Sequence, residues 1–306
     1  MAAQHLITGL QLWQWRNAAI QAAIATDVPP GEVDWLLQEV AGLDRLSLLL
    51  ESYKSKPLLQ LELPLEELDS LWQSRLQERL PVQYIAGVTP WRNFKLAVSK
   101  AVLIPRPETE CLIDLAVAAL KESEVKPPLS QGHWADLGTG SGAIALGLAD
   151  VFSTATVHAV DYSPQALAIA IENARSAGYR ERIRFYQGSW WEPLEFLKGQ
   201  FSGMVSNPPY IPRSIIPTLQ PEVQDHEPHL ALDGGADGLD FIRHLLEVSP
   251  TYLRPGGVWL IEMMAGQADT VREMLQNHGS YCNIQIHSDL AGIERFALAY
   301  RKNYEL

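Results

Sequence analysis

Cysteine is scarce in this chain: among 306 residues there are two, Cys111 and Cys282, far apart and in neither a metal-binding nor a redox spacing. No disulfide framework or metal site is expected, and a reducing, cytoplasmic setting fits. Basic charge is also in short supply, with 24 Lys and Arg against 36 Asp and Glu and a formal net charge of -12. Proteins that grip a phosphate backbone depend on clustered Lys and Arg, so this balance argues against a nucleic-acid partner. Long apolar runs are missing as well: Leu46 to Leu50 and Leu112 to Leu120 fall far short of the ~20 residues that cross a bilayer. The amino terminus lacks a basic region followed by an apolar core, so neither an export signal nor a membrane anchor is expected.

What the chain does have is 47% apolar and only 20% charged residues, enough for one large domain and a smaller one. Helical apolar spacing runs through Leu10, Trp13, Ala18 and Ile24, then Val33, Leu36, Leu37, Val40 and Leu43, then Leu65, Leu68, Leu71, Trp72 and Leu76. These stripes predict a self-contained helical bundle over residues 1–82, with Trp13, Trp15, Trp35 and Trp72 in its core. Alternation through Phe94, Leu96 and Val98 predicts a β-hairpin linker over 83–107. From 108 to 306 strands alternate with helices: Trp134 to Leu137, Val157 to Asp161, Ile183 to Tyr186, Gly203 to Ser206 and Val258 to Met263, then Asn283 to His287 and Arg295 to Tyr300. That is an α/β domain of seven strands, parallel except for a closing antiparallel pair.

Two motifs carry chemistry. Asp136-Leu137-Gly138-Thr139-Gly140-Ser141-Gly142 follows an apolar run and opens the Ala143 to Phe152 helix, and its alternating glycines let the backbone turn sharply and approach a ligand. Asp161, ending the next strand, would face the same crevice and bind ribose hydroxyls. Gly138, Gly140 and Ala143 also satisfy the loose dinucleotide fingerprint, so this pocket by itself leaves the cofactor open.

Asn207-Pro208-Pro209-Tyr210, at the end of the fourth strand, narrows the choice. The Asn207 oxygen accepts one N–H of a planar NH2 group, a carbonyl of the stiff Pro208-Pro209 segment accepts the other, and the Tyr210 ring covers it. Holding both hydrogens favours the pyramidal nitrogen of a transition state in which the lone pair attacks. A hydride-transfer enzyme has no use for such a clamp. The two motifs together imply methyl transfer from S-adenosylmethionine to nitrogen. Asn207, Pro208 and Tyr210 are the candidate catalytic residues.

With Leu103-Ile104-Pro105-Arg106-Pro107-Glu108-Thr109-Glu110 preceding both motifs, the chain resembles the protein-glutamine methyltransferases that modify peptide-chain release factors. Further matches are Gln83 to Gly87, Glu227-Pro228, Gly234 to Gly238 and Asp289 to Gly292. The resemblance implies a Rossmann-like class I methyltransferase sheet and a Gly-Gly-Gln motif in the release factor as target. It implies that Gly138, Thr139, Gly140, Ser141 and Gly142 hold the methionine part of the cofactor, Asp161 the ribose, that Trp190 lies beside that pocket, and that Asn207 to Tyr210 hold the glutamine. Arg106, fixed between two prolines, is grouped with the substrate residues, where it orients Glu108 or meets an acidic partner. Two departures stand out: Gly188-Ser189-Trp190 lacks the acid that often precedes this tryptophan, and Glu262-Met263-Met264-Ala265-Gly266-Gln267 replaces a glycine-containing strand exit.

Plainer readings exist for each feature. Asn207 is also a turn former before prolines, Tyr210 a packing residue, and Asp225-His226-Glu227-Pro228-His229 a loop rather than a metal site. The competing functions are an N-methyltransferase for adenine or another base, which would stack a flipped base on Tyr210, a methyltransferase for glutamine of a ribosomal protein, and a cofactor-binding scaffold without turnover. The expected protein is a cytoplasmic monomer whose partner is a release factor.

Overall fold

A computed structural model of the chain describes residues 5–121 and 127–303. It divides into two compact units, Met1–Val88 with Pro221–His226, and Thr89–Gln220 with Glu227–Leu306.

In the first unit, helices Gly9–Ala25, Gly31–Glu39, Arg45–Leu49, Leu65–Gln77 and Val82–Ala86 pack around Leu36, Leu37, Leu68 and Trp72. Thr8 starts the first helix with a reciprocal capping box to Gln11, which satisfies two otherwise open amides. Its buried face, however, is Gly9, Leu12, Ala19 and Ala23, whereas Leu10, Ala18 and Ile24 are exposed. The helix carries apolar residues on several sides, so a period of three or four fits more than one face. Trp72 is buried, but Trp13, Trp15 and Trp35 are only half-buried at the rim of this core. Their polar edge explains the rim position: Trp13 Nε1 donates to Glu51 (3.0 Å) and Trp15 Nε1 to Asp69 (2.9 Å). The unit also contains a small antiparallel sheet of β1 (His5–Ile7) and β2 (Leu59–Leu61), which the helical stripes did not suggest. Segment Pro221–His226 belongs here because buried Arg75 pairs with Glu32 (2.6 Å) and Glu222 (2.8 Å).

The hairpin is made of β3 (Val88–Trp91) and β4 (Phe94–Ala97), with Leu96 and Val98 buried. The main sheet follows: β5 (Gln131–Leu137), β6 (Thr154–Asp161), β7 (Ile183–Gln187), β8 (Phe201–Ser206), β9 (Leu253–Glu262), β10 (Tyr281–Ser288) and β11 (Glu294–Arg301). Its spatial order is β10-β11-β9-β8-β5-β6-β7, and β11 runs antiparallel to both neighbours while the other pairs are parallel. Successive residues feed opposite cores. Trp134, Val157, Val258 and Leu260 pack with helices Cys111–Lys121 and Ala143–Val151, and Ala135, Met204, Trp259 and Ile261 with Asp240–Tyr252 and Ala268–His278. Parallel strands place their carboxyl ends along one edge, where Leu137, Asp161 and Ser206 end and the ligand crevice of such sheets lies.

One buried polar cluster sits in the sheet away from that edge. His133 Nδ1 lies 2.9 Å from Nε2 of fully buried His158, whose Nδ1 lies 3.2 Å from the Tyr186 hydroxyl. Burial, then His133 and Arg184, pushes His158 down to about 3. The unfolded chain takes up this proton near ~6.5, so stability is intact above that pH and is lost as pH falls toward the folded value. The expected loss is at most about 1.4 kcal/mol per pH unit from this group. Urea unfolding at two pH values measures it: His158→Leu should lose less stability on acidification than the wild type, and equal losses would contradict the assignment.

Candidate functional site

Gly138, Gly140 and Gly142 have φ of +78°, +54° and +84°, the left-handed region that a side chain disfavours. This lets the chain leave β5, cross the end of β6 and enter helix Ala143–Val151. The Gly138 and Thr139 amides both donate to the Val160 carbonyl at 2.9 Å, and the Gly140 amide donates to Asp161 Oδ2 at 2.8 Å. Below the loop lies Asp136, fully buried, whose Oδ2 accepts from the Thr139 hydroxyl and from the Ala145 amide (2.9 Å). Burial pushes its carboxyl up to about 7 against those two donors. The Thr139 hydroxyl is therefore turned inward toward Asp136.

The loop borders a cavity of roughly 370 Å³, within the ~300–1,000 Å³ range of small-molecule sites. Of the expected cofactor residues, Gly138, Thr139, Gly140, Ser141, Asp161 and Trp190 line it. Gly142 is not among the described lining residues; it sits behind the loop, where an added Cβ would lie 3.1 Å from that of Ala170. Trp190 packs on Phe241 with ring centroids 5.3 Å apart, and its ring would lie 3.4 Å from a Cβ at Gly138. Asp161 Oδ1 accepts from the Ser163 amide (2.9 Å), and burial raises its carboxyl while its amide donors oppose the shift. It is the one charged residue among the described lining residues. A carboxylate at the cavity wall suits a ligand that carries ribose hydroxyls or positive charge.

Asn207 and Pro209 line the same cavity, whereas Pro208, Tyr210 and Arg106 are not among its described lining residues. Asn207 Nδ2 donates to Thr109 Oγ1 at 3.2 Å, which leaves Oδ1 as the open end of the amide. The Tyr210 hydroxyl donates to Glu262 Oε1 at 3.0 Å. Arg106 does not turn to Glu108. Its Nη2 pairs at 2.6 Å with Glu227, whose side chain is almost wholly buried, because a buried carboxylate requires a partner more than an exposed one does. Burial raises Glu227, and Arg106 opposes the shift.

Sequence reasoning missed three residues here. Glu262, 2% exposed at the end of β9, accepts from Tyr210 and also from the Thr109 hydroxyl at 2.7 Å. Gln267 Nε2 donates to the Tyr210 carbonyl (3.1 Å), and Asn173 Nδ2 to the Ser141 carbonyl (2.8 Å). Glu262 and Gln267 lie in the departing segment after Val258; an acid closing a buried strand was the available signal.

A family model described as a methyltransferase domain matches residues 130–295. The chain is 53% identical over 293 residues to a protein of Synechocystis sp. named release factor glutamine methyltransferase, covering 96% of this chain and 97% of that one. A protein of the same name from Moorella thermoacetica is 39% identical, covering 92% and 94%. Among solved structures, the hMettl16 catalytic domain in complex with MAT2A 3'UTR hairpin 6 shares the fold at 13% identity and a TM-score of 0.55, covering 78% of this chain and 81% of that one.

Proposed function

The chain belongs to the release factor glutamine methyltransferase family, and we propose from that premise that it transfers a methyl group from S-adenosylmethionine to the side-chain amide nitrogen of a glutamine in a peptide-chain release factor. The observation that carries this reading is Asn207, which borders the cofactor cavity with its NH2 group tied to Thr109 and its oxygen left to accept. The cavity fits the cofactor: a glycine cradle, a carboxylate at Asp161 for the ribose hydroxyls and, among the described lining residues, no cation to oppose a sulfonium. Once bound, S-adenosylmethionine supplies an electrophilic methyl group.

The residues of the chain orient the nitrogen. The second N–H acceptor is a carbonyl of the stiff Pro208-Pro209 segment, which follows Asn207 directly and of which Pro209 borders the cavity. With both hydrogens held, the amide lone pair turns out of conjugation and the N–H bonds polarise; the N–C bond would form as the methyl–sulfur bond breaks, and one of the two held protons would be lost. Tyr210, fixed at its hydroxyl, covers the planar group. Arg106 holds Glu227 and with it the chain entering Pro228, Leu230 and Ala231, which border the cavity; it acts on the substrate through that loop. The helical unit docks the protein substrate, and the enzyme works as a cytoplasmic monomer. Among the described residues no helix is long and apolar enough to cross a membrane.

A labelled-methyl assay offering release factor, ribosomal protein and DNA side by side tests the proposal. Label in the release factor supports it; label in DNA adenine or in ribosomal protein alone replaces it. Asp161→Ala is expected to weaken cofactor binding by about 10- to 150-fold, the loss of a charge-assisted hydrogen bond, and to change the turnover of saturated enzyme less. Calorimetry with S-adenosylmethionine checks this, and an unchanged affinity would remove Asp161 from the ribose site.

A further inference from the structure

We infer that Glu262 is a positioning residue that fixes the polarity of the Asn207 amide, and so selects a substrate that brings N–H groups rather than acceptor oxygens. The inference rests on the glutamine-methylation reading. An ionised carboxylate only accepts hydrogen bonds. Glu262 Oε2 therefore takes the single proton of the Thr109 hydroxyl (2.7 Å), and Thr109 Oγ1 is left to accept. What it accepts is Asn207 Nδ2 at 3.2 Å, so the Asn207 oxygen is the end that meets the substrate. The other carboxylate oxygen takes the Tyr210 proton at 3.0 Å, so one buried group anchors both clamp residues.

Burial, with a smaller push from Glu108, raises the Glu262 carboxyl, and the Thr109 and Tyr210 hydroxyls and the nearby Arg295 guanidinium oppose that shift. The two hydroxyls, each aimed at a different carboxylate oxygen, are the donors that the ionised form needs. Strand alternation puts Glu262 on the same face of the sheet as Leu260, the face covered by helix Cys111–Lys121. Thr109 stands just ahead of that helix, in the 3-10 turn Glu108–Glu110. A neutral amide at 262 removes the constraint. It can donate to Thr109 Oγ1, whose proton then turns to Asn207 and flips that amide.

The experiment uses the full chain, with release factor and labelled S-adenosylmethionine as substrates. Glu262→Gln should lower kcat on the order of 10-fold or more, with cofactor affinity from calorimetry nearly unchanged. Thr109→Val should show the same split, and Thr109→Ser should recover most of the loss by restoring the hydroxyl. Because the residues act in one chain, the double variant should be no worse than the poorer single one. A release factor carrying glutamate at the target should inhibit Glu262→Gln more strongly than the wild type, since a flipped Asn207 donates to a carboxylate. Wild-type kcat in Glu262→Gln, multiplying losses in the double variant, or unchanged inhibition overturns the inference. If Glu262→Gln does not fold, Thr109→Val decides: turnover equal to that of Thr109→Ser overturns it too. A wild-type enzyme that ignores release factor sinks the functional reading instead, which keeps the two failures apart.

Discussion

Asn207→Ala is expected to lower the maximal rate of glutamine methylation by about 10²-fold or more, the cost of losing a preorganised polar contact at a reacting group. The amide nitrogen of the substrate is a poor nucleophile while its lone pair is conjugated, and an acceptor on its N–H gains strength only as that conjugation is lost. The effect should therefore fall on kcat. Two features make the contact preorganised: Nδ2 is already engaged by Thr109, and the next two residues are buried prolines that hold the backbone. Asn207 also borders the cofactor cavity, but the loop residues and Asp161 remain in the variant, so cofactor affinity should change far less. Single-turnover rates with saturating release factor, beside calorimetry for the cofactor, separate the two. A variant that binds cofactor poorly yet reacts at the wild-type rate would make Asn207 a cofactor ligand and nothing more.

Parts of this site were legible in the sequence and parts were not, for physical reasons. Strands buried on both faces appear as short apolar runs, so Trp134 to Leu137 and Gly203 to Ser206 fall inside β5 and β8. Their outer ends are less visible. β9 begins at Leu253 and passes through Pro255, Gly256 and Gly257, residues that locally suggest a turn. The glycine loop was readable because a required positive φ leaves its mark as glycine at the position itself. Gly142 answers to two demands at once, a φ of +84° and the nearness of Ala170. Glu262 was illegible as a site residue because its role comes from Thr109 and Tyr210, which are 153 and 52 residues away in sequence. An acid closing a buried strand is a signal in itself, but which groups it serves is fixed only once the fold supplies its partners.

Replacing the target glutamine of the release factor with glutamate should reduce methylation by about 10⁴-fold or more, the scale on which a site built to hydrogen-bond a group rejects an analogue that lacks it. Glutamate matches glutamine in length and nearly in shape, so the rejection does not come from packing. It comes from the missing N–H groups, since an ionised carboxylate only accepts and would face Asn207 Oδ1 and a proline carbonyl with acceptor against acceptor. Asparagine at the target is the informative control. It keeps both N–H groups but is one methylene shorter, so its loss reflects misplacement alone, which costs on the order of 10²-fold per ångström in such sites. Methylation measured on the three release factors should rank glutamine above asparagine and asparagine above glutamate. If glutamate is methylated as well as asparagine, N–H recognition is not what selects the substrate, and the acceptor corner built on Asn207 has been misread.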